Sequence, residues 1–178
     1  MNMRNTLFYI LFLSVSLVSN GQAQDNYSFF KLVMHNDKGE IFLVKWENEW
    51  EVPGRRYKGN FTVNQFVENM GKYHKNSLEH ITLGGLFTFH YTYRDKPTLM
   101  HYYKATVKTP SEIKTDAAGW FTLEEALRVI PYSEMRHILE KLFDPSSMGK
   151  VWGGAFTIYK GESGQRTSQI LERLAPLN

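Results

Sequence analysis

The stretch EWEVPGRRYKGNFTVNQFVENMGKYH, Glu49 to His74, carries three kinds of local order in succession. Pro53 disfavours the helical region for Val52, so EWEVPG ends a short strand at a turn. Arg55, Arg56 and Lys58 follow as a cationic loop. Beyond it Val63, Phe66, Val67 and Met70 recur at helical spacing, with Gln65, Glu68, Asn69 and Lys72 on the opposite side. Gly71 marks the expected stop of this helix. A polar helix face beside a cationic loop has the frame of a phosphate-handling site, yet Glu68 is the one acid on that face.

The flanking segments extend this pattern. Upstream, FFKLVMHNDKGEIFLVKW predicts two strands, Phe29–His35 and Glu40–Trp46, about a turn in which Gly39 supplies a positive φ. Downstream, HITLGGLFTFHYTYRDKPTLMHYYKATV reads as strand, turn and strand, with Pro97 in the turn because proline removes a ladder donor. The glycine pairs in GGLF and WGGAF read as strand irregularities or close backbone approaches. Thr122 and Glu125 form a capping-box pattern ahead of a helix that Pro131 ends. Ser133 is expected to cap EMRHILEKLF, a helix with Met135, Ile138, Leu139 and Leu142 as its apolar stripe. The tail predicts a strand in KVWGGAFTIY, a KGESGQ loop and a short helix from about Thr167 to Leu174. The sum is one mixed α/β domain without internal repeats.

Composition narrows the classes. Arg4, the apolar run from Leu7 to Val18 and the small residues Gly21 and Ala23 have the pattern of a secretory signal peptide over residues 1–23, leaving a single domain over 24–178. The run is short for a bilayer span of ~20 residues; an uncleaved anchor is the alternative. The expectation is therefore an exported protein, periplasmic or secreted, free of the membrane once the leader is removed. With no cysteine in the chain, a disulfide framework, a thiolate metal site and lipid attachment through cysteine are excluded. The net charge of +3 is mild, and the basic residues are scattered outside GRRYKG, so no nucleic-acid stripe is present. No P-loop, dinucleotide glycine fingerprint or Ser-His-Asp signature appears.

Taken in order, LVMHNDKGEIFLVKW, WEVPG, ENMG and GWFTLEEAL resemble the Nudix superfamily from about Leu32 to Phe143, with residues 144–178 as a C-terminal extension. The resemblance implies an α/β/α sandwich around a mixed central sheet, here with an added C-terminal strand and helix. It also implies ancestry among enzymes that cleave nucleoside diphosphates linked to another moiety, with Mg²⁺ or Mn²⁺ as cofactor. The family box runs Gly, five residues, Glu, seven residues, then Arg-Glu-apolar-any-Glu-Glu-any-Gly-apolar. Gly71 stands at the closing glycine, Phe66 at an apolar place and Glu68 at one metal-binding glutamate. Asn64 stands at the arginine, and Gln65 and Asn69 at the two other helix glutamates. Arg55 replaces the opening glycine and Asn60 the earlier glutamate, and the interval from Arg55 to Gly71 is five residues shorter than the family spacing. Gapping four of these at the helix start removes about one turn and keeps the side chains facing as before.

Carried over residue by residue, the resemblance implies Glu68 as the catalytic and metal-binding acid, with Gln65 and Asn69 completing an i, i+3, i+4 metal donor set. From the loop itself, not from the family motif, Arg55, Arg56 and Lys58 are expected as substrate-binding cations, since guanidinium forks suit phosphate oxygens. Their bland reading is a solvated basic loop, and that of Glu68 a solvated helix residue. Pyrophosphate cleavage needs neutralised phosphates and an activated water. Amides in place of two carboxylates keep oxygen donors but lose charge, so a site for two or three ions is not expected, while a weak Mg²⁺ site completed by substrate phosphate oxygens is compatible. Two classes follow: a divergent pyrophosphohydrolase with lost or reduced metal-dependent activity, or a non-catalytic module for a nucleotide-like, phosphate-bearing ligand or a protein partner. His74, His80, His90 and His101 show no metal-ligand spacing. Glu112 and Asp116 lie where some family members keep a catalytic acid, and Trp46, Trp50 and Tyr57 are candidates for base stacking or core packing.

Overall fold

Along SFFKLVMH the side chains of Phe30, Leu32 and Met34 alternate with those of Lys31 and Val33, and all five are buried. That is the pattern of a strand covered on both faces. The computed structural model describes residues 28–108, 110 and 116–178; the expected leader, residues 1–23, and Glu112 lie outside the described residues. In chain order the elements are β1 (Ser28–His35), β2 (Ile41–Trp46), β3 (Glu49–Glu51), β4 (Gly54–Arg56), α1 (Val63–Tyr73), β5 (Leu78–Tyr91), β6 (Thr98–Val107), β7 (Ala118–Phe121), α2 (Leu123–Val129), α3 (Ser133–Phe143), β8 (Trp152–Lys160) and β9 (Arg166–Pro176). No helix among the described residues is long and apolar enough to cross a membrane.

The sheet order is β3-β2-β1-β6-β5-β8-β9, with β4 paired to β1 and β7 to β2. β1 runs parallel to β6 and β5 parallel to β8, while β5 with β6 and β8 with β9 are antiparallel. The sheet is mixed, and helices cover both faces. On one, Phe66, Val67 and Met70 of α1 pack over Phe30, Leu32, Met34, Phe42, Ala105 and Val107. On the other, Met135, Ile138, Leu139 and Leu142 of α3 join Ala126 of α2 against Val33, Leu43, Phe87, Phe89, Tyr102 and Phe156. The α/β/α sandwich is observed.

Local signals account for most helix boundaries. Thr122 Oγ1 accepts from Glu125 N–H, and the Glu125 carboxylate accepts from Thr122 N–H at 2.9 Å, so the capping box forms as expected. Ser133, expected as the next cap, is instead the first residue of α3; Tyr132 holds the cap position without a side-chain bond. The Ser133 hydroxyl is engaged by Ser168 of β9 at 2.6 Å.

The C-terminal helix expected over Thr167–Leu174 is not there: these residues belong to β9. A helix of eight residues is marginal on its own, whereas β8 offers a backbone ladder along its whole length. Arg166 also pairs with Glu134 of α3, and Leu174 packs against the core. Non-local partners decide the conformation here.

Both glycine pairs coincide with register shifts, at Leu83/Gly85 in β5 and Gly153/Ala155 in β8. A Cβ at Gly85 would lie 2.5 Å from the Phe87 ring and 2.8 Å from the Trp152 carbonyl oxygen. The carbonyl belongs to the neighbouring strand and cannot swing aside. Gly85→Ala is therefore expected to cost about 1–3 kcal/mol, read from the urea midpoint at unchanged slope.

Candidate functional site

The site region is built around α1. Thr62 caps it in a second capping box: Thr62 Oγ1 accepts from Gln65 N–H at 3.3 Å, and Gln65 Oε1 accepts from Thr62 N–H at 3.0 Å. The amide oxygen expected to face a metal is thus engaged in capping the start of the helix. Glu68, Asn69 and Lys72 are exposed beside it, as the amphipathic pattern requires.

Gly71 does not stop the helix. It lies inside α1, buried, with the Leu78 side chain 2.5 Å from where a Cβ would sit. Its role is close packing of α1 onto the start of β5. The stop comes four residues later: Lys75 adopts a left-handed conformation, φ 58°. Lys75 N–H bonds to the Lys72 carbonyl at 2.9 Å, and Asn76 N–H to the Gly71 carbonyl at 3.0 Å. This is a Schellman ending with lysine where glycine is usual.

The cationic loop is in part a strand, because Gly54, Arg55 and Arg56 pair with β1 opposite Lys31, Phe30 and Phe29. Alternation along β4 sends Arg55 and Arg56 to opposite faces of the sheet. Arg55 shares the face of Phe30 and lies over the Tyr73 ring at 4.8 Å. Arg56 shares the face of Phe29, the side of the sheet that carries α2 and α3, and is itself exposed. Lys58 is exposed beyond them. Of the three expected substrate-binding cations, Arg55 is the one seen in contact with a side chain of α1, Tyr73, among the described residues.

The aromatic candidates divide as well. The Tyr57 ring stacks on Phe30 at 5.2 Å and meets Phe66 edge-on at 5.0 Å, while Trp50 packs edge-on against Phe121 at 4.9 Å. Trp46 remains on the surface, 66% exposed. Asp116 is exposed in the turn before β7, and His80 and His90 are exposed on β5.

Three histidines sit in the packed structure with their pKa values depressed below 6.5. Burial does this for His35, with help from Lys104; for His74, with help from Arg55; and for His101, which stacks on Phe30 at 4.6 Å. The unfolded chain therefore binds more protons than the folded one as pH drops through 6.5, and stability held above that pH is lost below it. The melting temperature is expected to fall between about pH 7.5 and 5.5. His101→Phe, which keeps the stack, should flatten that slope; an unchanged slope would exclude His101 as a contributor.

No group of three or more His, Asp or Glu side chains that could hold an ion exists among the described residues. With Gln65 Oε1 in the cap, the open donors among the three expected metal ligands are the Glu68 carboxylate and the Asn69 amide. Such a donor set does not fit a pre-formed centre of several divalent ions.

A cleft of about 390 Å³ opens where α1 ends and β5 begins, lined by Glu68, Lys72, Lys75, Asn76, Ser77 and Leu78. Apart from Glu68 these residues carried no expected role. The left-handed turn at Lys75 that shapes the cleft has no sequence signal, since glycine or asparagine would be expected there.

No family model matches the chain, and no curated protein matches it by sequence. Solved structures do match. A MutT protein from Bacillus halodurans superposes with a TM-score of 0.60 at 13% identity, over 83% of this chain and 96% of that one. A NUDIX hydrolase from Nitrosomonas europaea gives 0.52 at 11% identity, over 75% and 78%. The C. elegans Ap4A hydrolase gives 0.50 at 20% identity, over 64% and 92%. The chain has the fold of the Nudix hydrolases.

Proposed function

We propose that this chain is an exported Nudix-fold protein that binds a phosphate-bearing, nucleotide-like small molecule, and that its metal-dependent pyrophosphohydrolase activity is lost or strongly reduced. The observation that carries the second half is the state of α1: one carboxylate, Glu68, and an amide oxygen at Gln65 tied to the Thr62 N–H. Phosphoryl chemistry of this kind runs on positioned charge, and these residues supply too little of it for divalent ions. The fold shared with proteins named as MutT and Ap4A hydrolase supports the ligand class.

What remains can bind. Arg55 presents a guanidinium over Tyr73, fixed by a strand on one side and a helix on the other. Trp46 offers an exposed ring for stacking. The test is turnover of ADP-ribose and a dinucleoside polyphosphate by purified protein with Mg²⁺ or Mn²⁺. The expected rate is close to the uncatalysed background and insensitive to Glu68→Gln. Robust metal-dependent turnover abolished by Glu68→Gln would overturn the reading. Melting curves separate the two classes: stabilisation by nucleotide without metal supports a binding module, and stabilisation only with metal supports a hydrolase. For export, the mature chain isolated from the cell exterior or periplasm should begin at Gln24.

A further inference from the structure

We infer that the cleft between the last turn of α1 and the first residue of β5 is a metal-independent subsite for the phosphate groups of an anionic ligand, with the Lys72 and Lys75 ammonium groups as its cationic contacts. The inference rests on the phosphate-ligand reading above. It moves the main charge from Arg55, Arg56 and Lys58 to the other flank of α1. Glu68, in the cleft, and Tyr73, under Arg55, are five positions apart, hence roughly 140° apart around the helix.

Three observations converge. The first is the concavity, whose lining includes both lysines and Ser77. The second is that neither ammonium group has a hydrogen-bond or ion-pair partner among the described residues. Glu68 stands four residues before Lys72, the spacing at which such pairs form on a helix, yet no ion pair joins them. The third is Lys75 itself. A left-handed lysine is disfavoured where glycine would fit freely, and the position places its side chain at the cleft.

The charge balance favours an anion, by a narrow margin. Two ammonium groups face one carboxylate and the negative end of the helix, about half a charge. Direct contacts between ammonium groups and phosphate oxygens are short and charge-assisted, so both lysines are needed. Glu68 then has a sign that can be read out. Without metal it repels the phosphate; if a metal bridged the two, Glu68 would hold the complex together.

The experiment titrates purified protein with inorganic pyrophosphate, first with EDTA and then with Mg²⁺, by calorimetry. Binding is expected in EDTA. Lys72→Ala/Lys75→Gly should weaken it about tenfold or more, Glu68→Gln should tighten it about threefold, and Arg173→Ala, an exposed cation on β9, should leave it within about twofold. Lys75→Gly relieves the left-handed backbone and is expected to raise the melting temperature, so lost affinity cannot be ascribed to unfolding. Equal affinity of the lysine variant and the wild type would overturn the proposal, as would absence of binding in EDTA. Binding that needs Mg²⁺ and disappears in Glu68→Gln would overturn it in favour of a metal-bridged site. Nucleotide that binds through Arg55 while pyrophosphate does not would remove the subsite and leave the phosphate-ligand reading standing.

Discussion

Glu51→Ala is expected to destabilise the fold by about 3–5 kcal/mol, whereas Lys31→Met should be neutral or stabilising. Lys31 Nζ donates to Glu51 Oε2 at 2.8 Å and to the Val52 carbonyl at 3.3 Å. The side chains are 6% and 17% exposed, so the ammonium depends on one carboxylate for compensation. Burial depresses the pKa of Lys31, and Glu51 works against that shift. Without Glu51 an uncompensated charge is left in the core; without Lys31 the stem can be replaced by an apolar chain of similar length, and Glu51 is close enough to solvent to rehydrate. The measurement is a double-mutant cycle by urea unfolding. Glu51→Ala should cost far less in the Lys31→Met background, and equal costs in both backgrounds would exclude the coupling. In Glu51→Ala with Lys31 intact, stability should rise with pH towards 10.5, because the unfolded chain there holds a proton that the buried amine releases.

Gln65→Glu/Asn69→Glu is expected to raise Mg²⁺ affinity by about 10–100-fold. Both positions are exposed on the polar side of α1, and the substitutions bring three carboxylates onto one face with Glu68. Most of the gain should come from Asn69→Glu, since a residue at position 65 shares its oxygen with the Thr62 N–H. The readout is melting temperature against Mg²⁺. An ion at 100 times its Kd stabilises by about 2.7 kcal/mol, against about 0.4 kcal/mol for one at its Kd. A double variant that responds to Mg²⁺ no more than the wild type would show that carboxylates at these two positions do not build a Mg²⁺ site on α1.

Much of α1 was legible from its residues because its determinants are local. The spacing of Phe66, Val67 and Met70 sets the buried face, and Thr62 with Gln65 sets the start by the same capping box that Thr122 and Glu125 form. The end was misplaced. Gly71 looked like a stop because glycine commonly is one, but its missing side chain serves a contact with Leu78, seven residues on and in the next element. The cationic group was misplaced for a related reason. Three basic residues in four positions look like one patch until β1 pairs with β4 and separates Arg55 from Arg56.

Periodicity, caps and turn residues by themselves determined that this chain builds a mixed α/β domain, where most strands and helices lie, and that its polar helix carries a single acid; the sandwich layering was what the family resemblance implied. These depend on neighbours within a few positions. Tertiary structure alone decided that Thr167–Leu174 is a strand, that Lys31 is buried on Glu51, and that a cleft forms at Lys72 and Lys75. Each of those outcomes is settled by partners 20 or more residues away, or by how elements close on one another, and no local pattern encodes such partners.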